Sequence, residues 1–224
     1  MNRDEKRDRL VALAPAVVEL ESHRAVFPRE RTGGTWISAN DSGVCLALIN
    51  WHRIERKPKN DTLSRGLVVK ELAGKSTAKE IATAVKKLSI GKLRPFRLIA
   101  ILPGERRVIE WRWNLQRLVI RNHEWQRQHW FSSGFDEHRA EVERQRVCAA
   151  ANDQQSAESL TWLRQLHRSH APTRGPFSIC MHRVDASTVS YTEISVTEKL
   201  ASMRYASGPP CMARFTVTKK LPIV

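Results

Sequence analysis

The strongest constraint on the fold is a change of hydrophobic period along the chain. "TWISAN" and "VCLALIN" flank Asn40-Asp41-Ser42-Gly43, whose Asn/Asp/Gly chemistry suits a tight turn, so residues 35–49 read as a hairpin. Its second strand is almost wholly apolar, which predicts burial on both faces. The period then lengthens. "SRGLVVKELAG" ends at Gly74, a suitable helix C-cap, and "STAKEIATAVKKL" opens with a capping-box spacing, Thr77 to Glu80, that sets Ile81, Val85 and Leu88 on one face. Two consecutive helices are predicted. From Phe96 the period shortens again: "FRLIAIL", the turn "PGE", "RRVIEWRWN" and "LQRLVIRN" are rich in β-branched and aromatic residues and predict a second antiparallel sheet segment.

Further on, "SSGFDEHRAEVERQRVCAA" and "SAESLTWLRQLHRSH" read as helices, the latter turning Leu160, Leu163 and Leu166 inward. "FSICMHRVDASTVSYTEISV" reads as a hairpin turning at Val184-Asp185-Ala186, with a last strand around "CMARFTVTK". Helices segregated from antiparallel strands mean an α+β protein, and two sheets each covered by a helical layer is a natural packing solution. At 224 residues without internal repeats, a single domain over residues 1–224 is expected.

Charge narrows the partners. The chain carries 38 Lys+Arg against 23 Asp+Glu, a net +15, and residues 51–100 alone hold 13 basic against 4 acidic side chains. The densest part, "WHRIERKPKN" from residue 51 on, reads as an exposed basic loop. Such a surface suits either plain solubility or small anionic partners. No finger spacing, RNP-like strand or helix-turn-helix points to specific nucleic-acid binding. No segment is long and apolar enough for a membrane span, and no signal segment opens the chain. Cys45, Cys148, Cys180 and Cys211 are far apart without a C-x-x-C pair, so neither a zinc site nor a disulfide framework is indicated; reduced thiols in the cytoplasm fit.

Several short motifs carry chemistry. "NRDE" at residues 2–5 sets Asn2 with Asp4 and Arg3 with Glu5 on opposite strand faces. A structural alternative has Arg3 pairing with Asp4 and Glu5 in solvent. Gly33 and Gly34 before Thr35 and Trp36 permit either a close backbone approach to a ligand beside an apolar wall, or a tight strand entry over a core tryptophan. Cys180 and His182, two apart on a predicted strand, share a face as a thiol–imidazole pair or as core packing. His167 and His170 lie one helical turn apart without an evident third ligand, so no metal is predicted.

These stretches, "NRDE", "GGTWISANDSGVCLALIN", "SRGLVVKEL", "RPFRLIAI", "SSGFD", "HRSH" and "SICMHRVDASTVSY", occur in this order in the NRDE-motif family, named after transport and Golgi organisation protein 2, which the chain resembles from Asn2 to about Cys211. The resemblance implies a four-layer αββα sandwich similar to the N-terminal nucleophile hydrolases. It also implies intracellular haem handling or lipid and acyl-coenzyme A homeostasis, with a small anionic amphipathic ligand. Members of the family normally begin with Met-Cys and a first strand that precede NRDE. Here that strand is missing, so Met1 reads as an internal start, and an unpaired sheet edge would favour dimers or aggregates.

An N-terminal nucleophile enzyme needs Cys, Ser or Thr as its first residue, whose own amine serves as base. Asn2 disfavours removal of Met1 and is itself no nucleophile, so as written the chain is not expected to hydrolyse amides. Arg3 and Asp4 are the candidate orienting residues if an upstream Cys exists; a catalytically inactive paralogue is the remaining alternative. The resemblance proposes ligand-binding roles for Asn2, Asp4, Gly33, Gly34, Thr35, Trp36, Asn50, Arg65, Ser132, Ser133, Cys180, His182 and Arg183. Haem is the candidate cofactor, with His182, His167 or Met181 as axial ligands.

Overall fold

The computed structural model of the chain describes residues 1–58, 63–152, 157 and 159–224. It divides into two compact units that interleave in sequence. The first comprises Met1–Leu10, Gln128–Glu193 and Arg204–Val217; the second comprises Val11–Arg127, Ile194–Met203 and Thr218–Val224.

The second unit holds a seven-stranded antiparallel sheet, made of β2 (Leu13–Glu19), β3 (Arg24–Arg29), β4 (Ile37–Asn40), β5 (Cys45–Asn50), β6 (Phe96–Leu102), β7 (Arg107–Trp113) and β8 (Leu118–His123) in sequential order. The β4–β5 hairpin forms as its turn residues predict, with Ile37 opposite Ala47. Asn40 explains the turn. Its side-chain oxygen accepts from the N–H groups of Ser42 and Val44, and its amide donates to the carbonyls of Ala73 and Lys75. All the hydrogen-bonding capacity of this buried amide is thereby used. β5 alternates buried Leu46 and Leu48 with half-buried Cys45, Ala47 and Ile49, so the expected burial on both faces is only partly realised.

Residues 96–123 do not start a separate sheet. β5 pairs directly with β6, from Cys45 opposite Ile101 to Asn50 opposite Phe96, a link across an intervening helical pair that local patterning does not reveal. Nor does patterning predict β2 and β3, which contain Pro15 and Pro28. β2 is the edge strand and its register breaks between Leu13 and Ala16, where a missing proline N–H disrupts least.

Two helices, α1 (Gly66–Leu72) and α2 (Ala78–Lys87), cover one face of this sheet. The Thr77 side chain accepts from the Glu80 N–H, as the capping spacing predicts, while the Glu80 carboxylate accepts from the Ser76 N–H. Val69, Leu72, Ile81 and Val85 meet Leu46, Leu98 and Trp111 in the main core. On the other face, Val26 and Ala39 pack with Ala201, Met203 and Leu221, giving this unit a second β layer. The basic stretch Trp51–Pro58 has no helix or strand; Lys59 lies outside the described residues.

The first unit is built around β1 (Asn2–Lys6), which pairs antiparallel with β9 (Ala186–Val196). With β10 (Leu200–Ser207) and β11 (Val217–Pro222), parts of which belong to the second unit, they form a sheet in the order β1-β9-β10-β11. Its helices are α3 (Glu137–Asn152) and α4 (Leu160–Arg168), joined through a cluster of Cys148, Trp162, Leu166 and Ile179. Leu160 is exposed instead of inward, and Trp162 takes the buried position, its indole N–H donating to the Ala151 carbonyl at 2.8 Å. Ser156 and Glu158 of the predicted helix start lie outside the described residues.

The expected hairpin of residues 177–196 is half realised. β9 forms, but residues 177–182 make no strand, only a single bridge from His182 to Ser187. Likewise Cys211 stands in a turn, and the last strand starts at Val217. β10 was not predicted; alternation in "LASMRYAS" is its sequence signature. Among the described residues no helix is long and apolar enough to cross a membrane.

One polar cluster sits inside the second unit. Ile109 and Trp111 face the helices, so strand alternation turns Glu110 to the opposite face, where it is completely buried. Its carboxylate accepts from Arg97, from Arg112 at 2.8 Å and from His123 at 2.9 Å. Burial alone would raise its pKa, but the hydrogen bonds of Arg112 and Arg97 prevail and hold it at about 2. A carboxylate depressed from 4.5 to about 2 contributes stability that is fully present above about pH 5 and lost as pH falls toward 2. Urea denaturation from pH 7 to pH 2 should therefore show an acid loss of stability that is smaller in Glu110→Gln, which is also less stable than wild type at pH 7.

Candidate functional site

The "NRDE" strand supplies the first unit with two anchored polar residues. Asp4 accepts from the Thr188 hydroxyl at 2.6 Å and from the Arg144 guanidinium at 3.4 Å. Arg144, buried on α3, also donates to the carbonyls of Ser178 at 3.1 Å and Ser132 at 3.0 Å. The β1 register shifts between Arg3 and Asp4, and Arg3 pairs with Glu5 at 3.2 Å. The alternative in which Arg3 pairs with Asp4 is thus corrected: two strand residues in succession point apart, and each charge finds a partner on its own side.

Asn2 donates to the carbonyls of His167 at 3.0 Å and Ile179 at 2.8 Å. Its oxygen, 3.1 Å from His167 Nδ1, is left to accept, so Nδ1 carries the hydrogen. Burial pushes the His167 pKa well below its usual value, and the neutral ring lies 4.9 Å from that of Tyr191. His167 and His170 do not meet as the helical spacing suggests. α4 ends at Arg168, and His170 instead places its Nε2 3.1 Å from Nε2 of His182.

Cys180 Sγ stands 3.6 Å from the same His182 nitrogen. Burial pushes the Cys180 thiol up to about 12 and, with the nearby Arg174, His170 and Arg7 charges, pushes the His182 imidazole down. By themselves they form a neutral thiol–imidazole pair, not the thiolate–imidazolium that an activated nucleophile requires. Arg183 is paired with Asp185 and lies 4.8 Å over the Phe135 ring. Ser132 contributes its carbonyl to Arg144, and the Ser133 hydroxyl accepts from the Phe135 N–H.

The remaining predicted positions belong to the second unit. Gly34 and Gly66 face each other so closely that a Cβ on Gly66 would stand 2.9 Å from the Thr35 nitrogen, and the Thr35 N–H donates to the Gly66 carbonyl. Gly33 has φ +90°, a conformation glycine adopts freely. Trp36 is buried, Asn50 ends β5 opposite Phe96, and Arg65 donates to the Pro95 carbonyl at 3.0 Å. The glycine pair therefore serves a backbone-to-backbone approach.

Sequence reasoning did not find a cavity of about 420 Å³ in the first unit, whose lining includes Arg164, Arg168, Arg204 and Arg214 with Tyr191 and Phe215. The Glu193 carboxylate holds Arg164 through two hydrogen bonds of 2.7 and 2.8 Å, and Arg204 lies 3.8 Å from it. Among the described residues, Arg168 and Arg214 make no ion pair. The spacing of Arg164 and Arg168, four apart on α4, was the one available signal; Arg204 and Arg214 come from segments that only folding brings beside them.

A model of the family described as Transport and Golgi organisation 2 matches residues 1–167 of the chain. The chain belongs to this family. Penicillin V acylase from Agrobacterium tumefaciens is similar in structure at 13% identity and a TM-score of 0.50, over 91% of this chain and 78% of that one. A mutant conjugated bile acid hydrolase from Clostridium perfringens is similar at 11% identity and a TM-score of 0.50, over 99% of this chain and 87% of that one. No curated protein sequence matches. The likenesses establish the fold class of this family member as the αββα sandwich of N-terminal nucleophile hydrolases, as the family resemblance implies.

Because, among the described residues, Asp4 is the only carboxylate bonded to the buried Arg144, Asp4→Ala should destabilise the protein by about 2–4 kcal/mol, and Asp4→Asn by less, in urea denaturation at pH 7.

Proposed function

We propose that this family member binds a small ligand with an anionic head and an apolar body, of the lipid or acyl-coenzyme A kind, in the arginine-lined cavity. The observation that carries this reading is the convergence of four arginines around Tyr191 and Phe215. Guanidinium groups grip phosphates and carboxylates through paired N–H donors, and the two rings supply apolar surface. A volume near 420 Å³ suits a ligand head group. Glu193 neutralises part of the Arg164–Arg204 charge, which leaves Arg168 and Arg214 as the principal anion contacts.

Iron ligation does not fit the cavity. Among the described residues, no His, Cys or Met lines it. His167 commits Nδ1 to Asn2 and packs its ring on Tyr191, and Met181 is buried. A haem would find contacts for its propionates but no axial ligand, so the acyl-coenzyme A or lipid reading is the better supported.

Isothermal titration of the full chain with palmitoyl-coenzyme A tests this. Each of Arg168→Gln and Arg214→Gln should weaken binding about tenfold, from the loss of one charge-assisted contact. Unchanged affinity in the double variant, or no binding by wild type at high micromolar ligand, would overturn the proposal.

The fold likeness to an acylase and a hydrolase favours a second reading, amide or thioester hydrolysis. It requires a mature chain that presents Cys, Ser or Thr at its N-terminus beside the Asn2–Glu5 strand, with its α-amine as base. Asp4 and Arg3 would act there only as positioning residues, since each already has a partner. Intact mass and N-terminal sequencing of the endogenous protein, together with a thioester hydrolysis assay on it, decide the matter. A nucleophile-first chain with turnover supports hydrolysis, and a mature chain starting at Met1 without turnover rejects it.

A further inference from the structure

We infer that His170, Cys180, His182 and Cys211 form a zinc site, with two thiolates and two neutral imidazoles as its four ligands. This departs from the sequence reading, in which no metal site is indicated. The ligands come from three separated stretches and lack the paired spacing by which zinc sites are recognised, so only the folded chain assembles them.

The three donor–donor distances from His182 Nε2 match edges of a tetrahedron around one ion. The four donor atoms lie within 4.8 Å of one another. From Nε2 of His182, the distances are 3.1 Å to Nε2 of His170, 3.6 Å to Sγ of Cys180 and 3.5 Å to Sγ of Cys211. Tetrahedral zinc with ordinary bond lengths has N···N edges of about 3.3 Å and N···S edges of about 3.5 Å. Three groups therefore approach one imidazole nitrogen at the edge lengths of the polyhedron. Hydrogen bonding does not account for this convergence, because Nε2 has a single in-plane position, either one N–H or one lone pair. A cation between the four atoms satisfies all of them at once.

Charge and setting agree. Two thiolates balance Zn²⁺, and binding releases two thiol protons to solvent, so the site gains no net charge. Cys180 is fully buried, while His170, His182 and Cys211 are half-buried, enclosed but reachable by an entering ion. The backbone around the ligands is pinned by hydrogen bonds from the Cys180 N–H to Ser169, from the His182 N–H to Gly175 and from the Met181 N–H to the Thr188 hydroxyl. Ligation through Nε2 puts the His182 hydrogen on Nδ1; the exposed Arg174 guanidinium, 3.4 Å away, then turns to solvent.

Four protein ligands make a closed, structural site, and the Cys₂His₂ set selects zinc over harder cations. Four donors this close leave no space for a planar macrocycle among them, so the cluster is not a haem site. Its position shows what it would hold. His170 follows the end of α4, which carries Arg164 and Arg168, and Cys211 lies in the segment 210–215, which supplies Pro210, Ala213, Arg214 and Phe215 to the cavity lining. Residues 169–182 contain no helix or extended strand, and a metal would cross-link this irregular stretch to the cavity wall.

The test uses the full chain purified under reductant. Elemental analysis should give one zinc per chain, and titration of the stripped protein with Co²⁺ should produce the d–d bands of tetrahedral cobalt with a thiolate-to-metal charge-transfer band. In competition with a chromophoric chelator, Cys211→Ser and His170→Ala should each bind zinc more than about 100-fold more weakly. Cys45→Ser, outside the cluster, should bind as wild type does. Should the ligand variants not fold, the wild-type cobalt spectrum decides by itself. Absence of a tetrahedral cobalt spectrum, unchanged zinc affinity in folded Cys211→Ser, or a Cys180–Cys211 disulfide that persists under reductant would each overturn the inference.

Discussion

The buried guanidinium of Arg144 holds the first unit together. From one position on α3 it reaches the carbonyl of Ser132, the carbonyl of Ser178 and the carboxylate of Asp4, and so ties a helix, two irregular segments and the β1 strand to a single charge. A buried cation is costly unless its donors are met, and here three partners meet them. Through Ser178, whose hydroxyl donates to the Cys180 carbonyl, the same contact sets the path of the chain into Cys180 and His182. The placement of a candidate metal ligand therefore depends on a residue that touches no metal.

The other feature of this unit is its local excess of positive charge. Glu193 is a nearly buried carboxylate shared by Arg164, Arg204 and the Tyr191 hydroxyl, too few negative charges for the four arginines around the cavity. Part of the net +15 of the chain is thus concentrated on the cavity lining beside Tyr191 and Phe215. The Glu110 cluster in the second unit shows the opposite arrangement, in which two arginines and a histidine close around one carboxylate and leave it to a structural role.

Much of the fold was legible because it rests on local chemistry. Thr77 and Glu80 announce a helix start, Asn40 to Gly43 a hairpin turn, and the β-branched and aromatic content of Val108 to Trp113 a strand. The unpredicted elements, β2 and β3, carry prolines that sequence rules assign to breaks; Pro15 sits at the register break of the edge strand β2, and Pro28 lies beyond the Ala25–Val26 pairing of β3 with β4. The site was less legible. Asn2, Asp4, Cys180 and His182 stood out by motif, whereas His170 and Cys211 join His182 across 12 and 29 residues of chain, and Arg204 and Arg214 join Arg164 across 40 and 50.

The sequence by itself determined the α+β class, most helix and strand periods and the family, since those depend on the spacing of side chains within a turn or a strand. The tertiary structure decided that the two strand-rich regions around the α1–α2 pair share one sheet. It alone brought four metal-type ligands within 4.8 Å and four arginines around one cavity. Hydrogen-bond periodicity is written in neighbouring residues, but convergence at a point in space depends on how the elements pack, and no short stretch encodes it.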